Sequence, residues 1–140
     1  MQVLEFPALM APQSIPPTAG QDTHLLCEWL GCDFSAPSLN QASSLRMLCM
    51  NAATASGLNI VGDVFHQFQP QGVTGTVLLN ESHLAIHPWP EEGFVTVDLF
   101  ACNYRADNTQ KALNLYAKLK AHFKPAQESF LQAPRGLGNA

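Results

Sequence analysis

From Phe94 to Phe100 the chain alternates without a break. Val95, Val97 and Leu99 fall on one side of an extended backbone, and Thr96 and Asp98 fall on the other. A period of two of this kind is a strand with one buried and one polar face. Further on, Ala112, Leu115, Tyr116, Leu119 and Phe123 recur at the helical period, and Pro125 ends the run. A helix with one apolar stripe and a strand with one apolar face satisfy each other by stacking. The chain is therefore expected to be α+β, a two-layer sandwich: a mainly antiparallel sheet with two helices packed on one face.

The remaining segments fit that frame. His24–Leu30 reads as a strand ended by Gly31-Cys32-Asp33. A first helix follows, capped by Ser38 or Asn40, with Leu45, Leu48, Cys49 and Ala52 on its buried stripe and Gly57 as its stop. Asn59–Phe68, Val73–Leu79 and His83–His87 read as strands, separated by Gln69-Pro70-Gln71-Gly72 and by a turn at Asn80-Glu81, with Pro88-Trp89-Pro90 closing the third. Asp107, with Gln110 three residues on, can cap the second helix. Gln127–Gln132 reads as a short last strand.

Residues 1–20 carry prolines at 7, 12, 16 and 17 and show neither period, so they are expected to form a flexible tail ahead of a single domain over 21–140. Charged residues are only 13% of the chain against 46% hydrophobic, which points to apolar surface covered by a second subunit. The net charge is -4 and the first cationic side chain is Arg46, so a nucleic-acid partner is not expected. No basic leader and no membrane-length apolar run is present, so the expectation is a cytoplasmic protein with reduced thiols and no membrane partner.

Chemistry concentrates in Phe65–Gly75 and Asn80–Glu91, polar and aromatic segments set between apolar strands. Ser82 and His87 pair a hydroxyl with a base, but no G-x-S-x-G elbow surrounds the serine. His83 and His87, with His66 and Cys102, offer metal-ligand atoms. No Glu lies between the two histidines as in H-E-x-x-H, and the segment reads as strand, so no metal is expected. Taken singly, Ser82 is a turn serine, Cys102 a small buried hydrophobe, Phe68 and Trp89 core aromatics, and Glu91 a solvated charge.

Taken together these residues say more. The runs Phe65-His66-x-Phe68-x-Pro70-x-Gly72-Val73-Thr74-Gly75, Glu81-Ser82-His83-Leu84-Ala85-Ile86-His87-x-Trp89-Pro90-Glu91 and Val97-Asp98-Leu99-Phe100-x-Cys102 follow an early His24-Leu25-Leu26 and Gly31-Cys32-Asp33. In this order and spacing the chain resembles the prokaryotic S-adenosylmethionine decarboxylase proenzymes, the small pyruvoyl-dependent class. The resemblance spans about residues 24–122.

What the resemblance implies is specific. The proenzyme would cut itself between Glu81 and Ser82 into fragments 1–81 and 82–140. Ser82 would become a covalent pyruvoyl group, which forms a Schiff base with the substrate. His87 matches the processing base, Thr74 the hydroxyl that assists processing, and Cys102 the proton donor of decarboxylation. Phe68 and Trp89 would stack on the adenine of S-adenosylmethionine, and Glu91 would hold its ribose. Processed protomers would pair as a homodimer. Two positions depart from the family pattern: Thr74 stands where Ser is usual, and Pro88 where Thr is usual. Both bear on substrate identity, which leaves a pyruvoyl decarboxylase of arginine or ornithine as an alternative. A third reading is an unprocessed, non-catalytic paralogue that binds a partner.

Overall fold

In the computed structural model, which describes residues 13–14, 21–103 and 106–137, the elements run β1 (Gln13–Ser14), β2 (Asp22–Leu30), α1 (Ala42–Ala55), β3 (Ile60–Gln67), β4 (Val73–Leu79), β5 (Ser82–Trp89), β6 (Phe94–Ala101), α2 (Thr109–Phe123) and β7 (Gln127–Arg135). The strands form one sheet in the order β1-β7-β2-β6-β5-β4-β3. Every neighbouring pair is antiparallel except β1 and β7, which run parallel. The fold is α+β, with two helices on one face of a mainly antiparallel sheet.

The alternation that opened the argument sets the layers. Val95, Val97, Leu99 and Ala101 of β6 are fully buried, as are Leu25, Cys27 and Trp29 of β2, Val77 of β4, and Leu84 and Ile86 of β5. These side chains meet Leu45, Cys49 and Ala53 of α1 and Ala112, Leu115, Leu119 and Phe123 of α2. The opposite face carries Thr96 and Asp98 with His83, Ala85 and His87, and no helix among the described residues covers it. Leu26, Val64, Leu78 and Trp89 lie exposed on that side.

A chain of polar groups runs through the packed layer. Trp29 Nε1 donates to the Tyr116 hydroxyl at 2.9 Å, that hydroxyl donates to Glu128, and Lys120 Nζ donates to Glu128 at 2.7 Å. Burial, and then the bond to Glu128, push the Tyr116 phenol far above its ordinary range. Burial likewise pushes the Cys27 and Cys49 thiols up to about 12, so neither is a nucleophile at neutral pH.

Several boundaries differ from the sequence expectations. Strand β5 does not stop at His87 but continues through Pro88 to Trp89. Its pairing with β4 ends at Ile86, and only β6 accompanies it further, so Pro88 removes no bond from the β4 ladder. Strand β7 passes Gln132 and reaches Arg135. The side-chain caps differ too. Ser38 and Asn40 belong to a separate short turn over Pro37–Leu39, and α1 starts after Gln41. Its first amide, Ala42 N–H, donates to Gln67 Oε1 of β3 at 2.7 Å, a cap supplied by tertiary structure. Asp107 does accept an amide at the start of α2, from Thr109 at 3.0 Å, but the residue at the cap position is Asn108. Most of the tail expected over 1–20 lies outside the described residues. Gln13 and Ser14 are described, and they pair with Leu131 and Gln132 of β7.

Candidate active site

The candidate residues gather in two groups, one at each end of β5. The first sits where the β4–β5 hairpin turns. Glu81 adopts a left-handed φ of 64°, a conformation that costs a non-glycine residue roughly 1 kcal/mol or more. Ser82 follows as the first residue of β5. Its Oγ accepts the backbone N–H of Cys102 at 3.0 Å and lies 3.5 Å from the Asn80 carbonyl. The Cys102 thiol reaches Glu81 Oε2 at 3.7 Å. Hydroxyl, thiol and carboxylate thus meet around one peptide bond. Cys102 arrives there because β6 ends one residue earlier, beside the start of β5, as the pairing of His83 with Phe100 shows.

The second group sits at the far end of β5. His87 Nδ1 lies 3.3 Å from Thr74 Oγ1 of β4. Trp89 stacks on Phe94 at 5.3 Å and tilts against His87 at 6.1 Å. A cavity of about 250 Å³ opens beside them, lined by Phe68, Gly72, Thr74, Pro88, Trp89 and Glu91. All four residues expected to handle substrate or assist processing at this end therefore share one cavity. One residue along from Thr74, β3 and β4 approach closely: Gly75 faces Phe65 across the ladder, and a methyl group on Gly75 would fall 2.1 Å from the Phe65 ring.

The two groups are not in contact. Five residue steps of β-strand separate Ser82 from His87, about 17 Å, and the alternation of a strand assigns them to opposite faces. The expected pairing of processing base and serine is therefore not made within this protomer. The looser metal constellation is dispersed as well. His83 stacks on Phe100 at 5.8 Å, and His66 meets Phe68 edge-on at 4.7 Å. Four strand steps place His83 about 13 Å from His87. Among the described residues no group of three or more His, Cys, Asp or Glu is placed to hold a metal ion.

Sequence reading gave no role to several residues that build this region. Gln67, besides capping α1, donates from Nε2 to the carbonyls of Phe68 at 3.1 Å and Gly72 at 3.0 Å, closing the loop that carries Phe68. Asn103 and Asn108 bracket Cys102. His24 bonds to Asp98 on the uncovered face, and Arg135 Nη1 lies 2.8 Å from the other nitrogen of the same imidazole. The only sequence signal for the asparagines was an excess of amides just after Cys102.

Comparison with known proteins gives one answer. A family model described as S-adenosylmethionine decarboxylase matches residues 23–136. The chain is 40% identical over 105 residues to the S-adenosylmethionine decarboxylase proenzyme of Pelotomaculum thermopropionicum, covering 75% of this chain and 82% of that protein. It is also 40% identical over 114 residues to the proenzyme of the same description from Syntrophomonas wolfei, covering 81% and 86%. The crystal structure of the adenosylmethionine decarboxylase from Aquifex aeolicus superposes with a TM-score of 0.75 at 29% identity, over 87% of this chain and 96% of that one.

Proposed function

The chain belongs to the S-adenosylmethionine decarboxylase family, and on that premise we propose that it cuts itself between Glu81 and Ser82, keeps the pyruvoyl group so formed, and releases CO2 from S-adenosylmethionine. The product is the aminopropyl donor of polyamine synthesis. The observation that carries the reading is the Ser82 environment: a hydroxyl held by Cys102 N–H, next to a thiol, directly after a left-handed Glu81. That setting fits a group generated in place from the serine.

Self-cleavage follows from these groups. Ser82 Oγ adds to the Glu81 carbonyl carbon, the C–N bond breaks, and an ester with a free Ser82 amine results. A base takes the Ser82 α-proton and the Cβ–O bond breaks, releasing the Glu81 carboxylate and leaving dehydroalanine. Water then replaces the nitrogen, which leaves as ammonia. An imidazole nitrogen is suited to the proton removal, and His87, held against the Thr74 hydroxyl, would supply it.

A pyruvoyl carbonyl supplies the electron sink on which an amino acid can lose CO2. Around it, Cys102 Sγ would return the proton that replaces the carboxylate. Phe68 and Trp89 offer ring faces to an adenine, and Glu91 offers a carboxylate to ribose hydroxyls. The cavity shared by these three favours an adenosyl substrate over arginine or ornithine, which carry no ring to stack.

The separation of the two groups supports a homodimer. One protomer holds Ser82, Glu81 and Cys102 at one end of β5 and Thr74, His87, Phe68 and Trp89 at the other. A second copy laid in opposite sense over the uncovered sheet face would place its His87 end against the Ser82 end of the first. The exposed Leu26, Val64 and Leu78 on that face supply apolar area for such a contact.

The test is an intact mass of freshly purified protein under denaturing conditions, followed by a CO2-release assay. Fragments 1–81 and 82–140, the second without a free amine, together with CO2 from S-adenosylmethionine, support the reading. A processed protein that releases CO2 only from arginine or ornithine would sink the substrate assignment. A single uncut chain would sink the self-cleavage.

A further inference from the structure

The geometry points to Asn108, seconded by Asn103, as a positioning residue for self-cleavage, acting on Ser82 through the Cys102 peptide. This inference rests on the self-cleavage proposed above and adds a residue to it.

Asn108 stands at the cap position of α2, where an Asn side chain ordinarily accepts an amide hydrogen from the helix's first turn. Here it makes no such bond. Its Nδ2 instead donates to the Cys102 carbonyl at 2.8 Å. The backbone N–H of Asn108 donates to Asn103 Oδ1 at 2.7 Å. Asn103 is fixed in turn. Its N–H donates to Asp22 Oδ1 at 2.8 Å, and its Nδ2 lies 3.0 Å from both the Gln21 carbonyl and Thr109 Oγ1. Thr109 Oγ1 also meets the buried Thr23 hydroxyl at 2.9 Å. The start of β2 and the start of α2 therefore grip the two residues that follow β6.

The purpose of that grip is legible from what Cys102 does. Its N–H is the donor that holds Ser82 Oγ, and its thiol faces Glu81. Cys102 is the first residue after β6. The amide of Asn108 holds its peptide on the carbonyl side. An attacking oxygen displaced by an ångström loses a large part of its rate. The helix cap has been given up, and the Cys102 peptide is held in its place.

Two variants separate positioning from stability. Asn108→Asp and Asn108→Ser both keep a good capping oxygen, and the Asp also suits the positive end of α2. The carboxylate has no hydrogen to donate at neutral pH, and the serine hydroxyl stops one bond short of the position from which the amide reaches the Cys102 carbonyl. The wild-type chain and both variants are prepared as full-length precursors. Cleavage is followed by intact mass, and melting temperature is measured on each. Cleavage slowed about ten- to a hundredfold, with melting temperatures equal to or above wild type, supports the inference. Wild-type cleavage rates in both variants overturn it while leaving self-cleavage intact. Slow cleavage with a lowered melting temperature overturns it in favour of a purely structural role. A wild-type chain that never cleaves removes the self-cleavage reading itself, and this inference with it.

Discussion

Co-expression of two inactive chains would test the divided site directly. One chain carries Ser82→Ala and the other His87→Ala, and a tag distinguishes them. Alone, neither should cut: the first has no attacking hydroxyl, the second no base. In the protomer Ser82 and His87 are about 17 Å apart along β5, whereas proton transfer needs contact of about 3 Å. If His87 serves the Ser82 of a second copy, mixed dimers regain one complete site. It joins Ser82 of the His87→Ala chain to His87 of the Ser82→Ala chain. The other site in the same dimer lacks both. Random pairing makes about half of the dimers mixed, so about half of the His87→Ala chains, roughly a quarter of all chains, should cut at Glu81–Ser82. The Ser82→Ala chains should remain whole. Denaturing mass spectrometry reads both fractions. No cleavage on co-expression, with a dimer present, would refute the divided site. Full cleavage of His87→Ala by itself would refute the role of the imidazole.

Three other outcomes follow from the geometry. Gly75→Ala puts a methyl 2.1 Å from the Phe65 ring, an overpacking worth about 1–3 kcal/mol that should lower the melting temperature by roughly 5–10 °C and be relieved by adding Phe65→Leu. Phe68→Ala removes an exposed ring from the cavity wall, so KM for S-adenosylmethionine should rise roughly three- to tenfold while the melting temperature and the extent of self-cleavage stay put. Burial pushes the Glu128 carboxyl up, but the bonds from Lys120 and Tyr116 and the Lys120 charge outweigh it and hold the group below its ordinary range. A carboxylate depressed on folding stabilises above its unfolded value and loses that contribution as pH falls through its folded value. The melting advantage of wild type over Glu128→Gln should therefore be full at neutral pH and fade below about pH 4.3, as thermal melts across pH would show.

The layers were legible in the sequence because β6 and α2 carry their periods cleanly and each buries only one face. What was not legible depends on contacts between distant segments. The cap of α1 comes from Gln67, across a helix and a loop, and no local spacing encodes it. The continuation of β5 through Pro88 depends on which neighbour is missing at that point, a property of the sheet and not of the proline. The site divided in the same way. Glu81, Ser82 and Cys102 lie together, and so do Thr74, His87, Phe68, Trp89 and Glu91. The gap between the two groups was not foreseen. A motif records which residues are needed and their order, but not whether one copy of the chain can bring them into contact.

That gap has a simple geometric origin. Ser82 and His87 sit on the same strand, and a strand is the least compressible element a chain can form, at about 3.3 Å per residue. No rotamer change closes five such steps. A chain that needs both residues in one reaction must therefore break the strand or import one of them. Breaking β5 would expose Leu84 and Ile86, which are fully buried between the sheet and the helices. Importing the residue costs no core. It requires a face of the sheet free of helices, which the described residues leave with His87 presented on it, and access from that side to the Glu81–Ser82 turn where β5 begins.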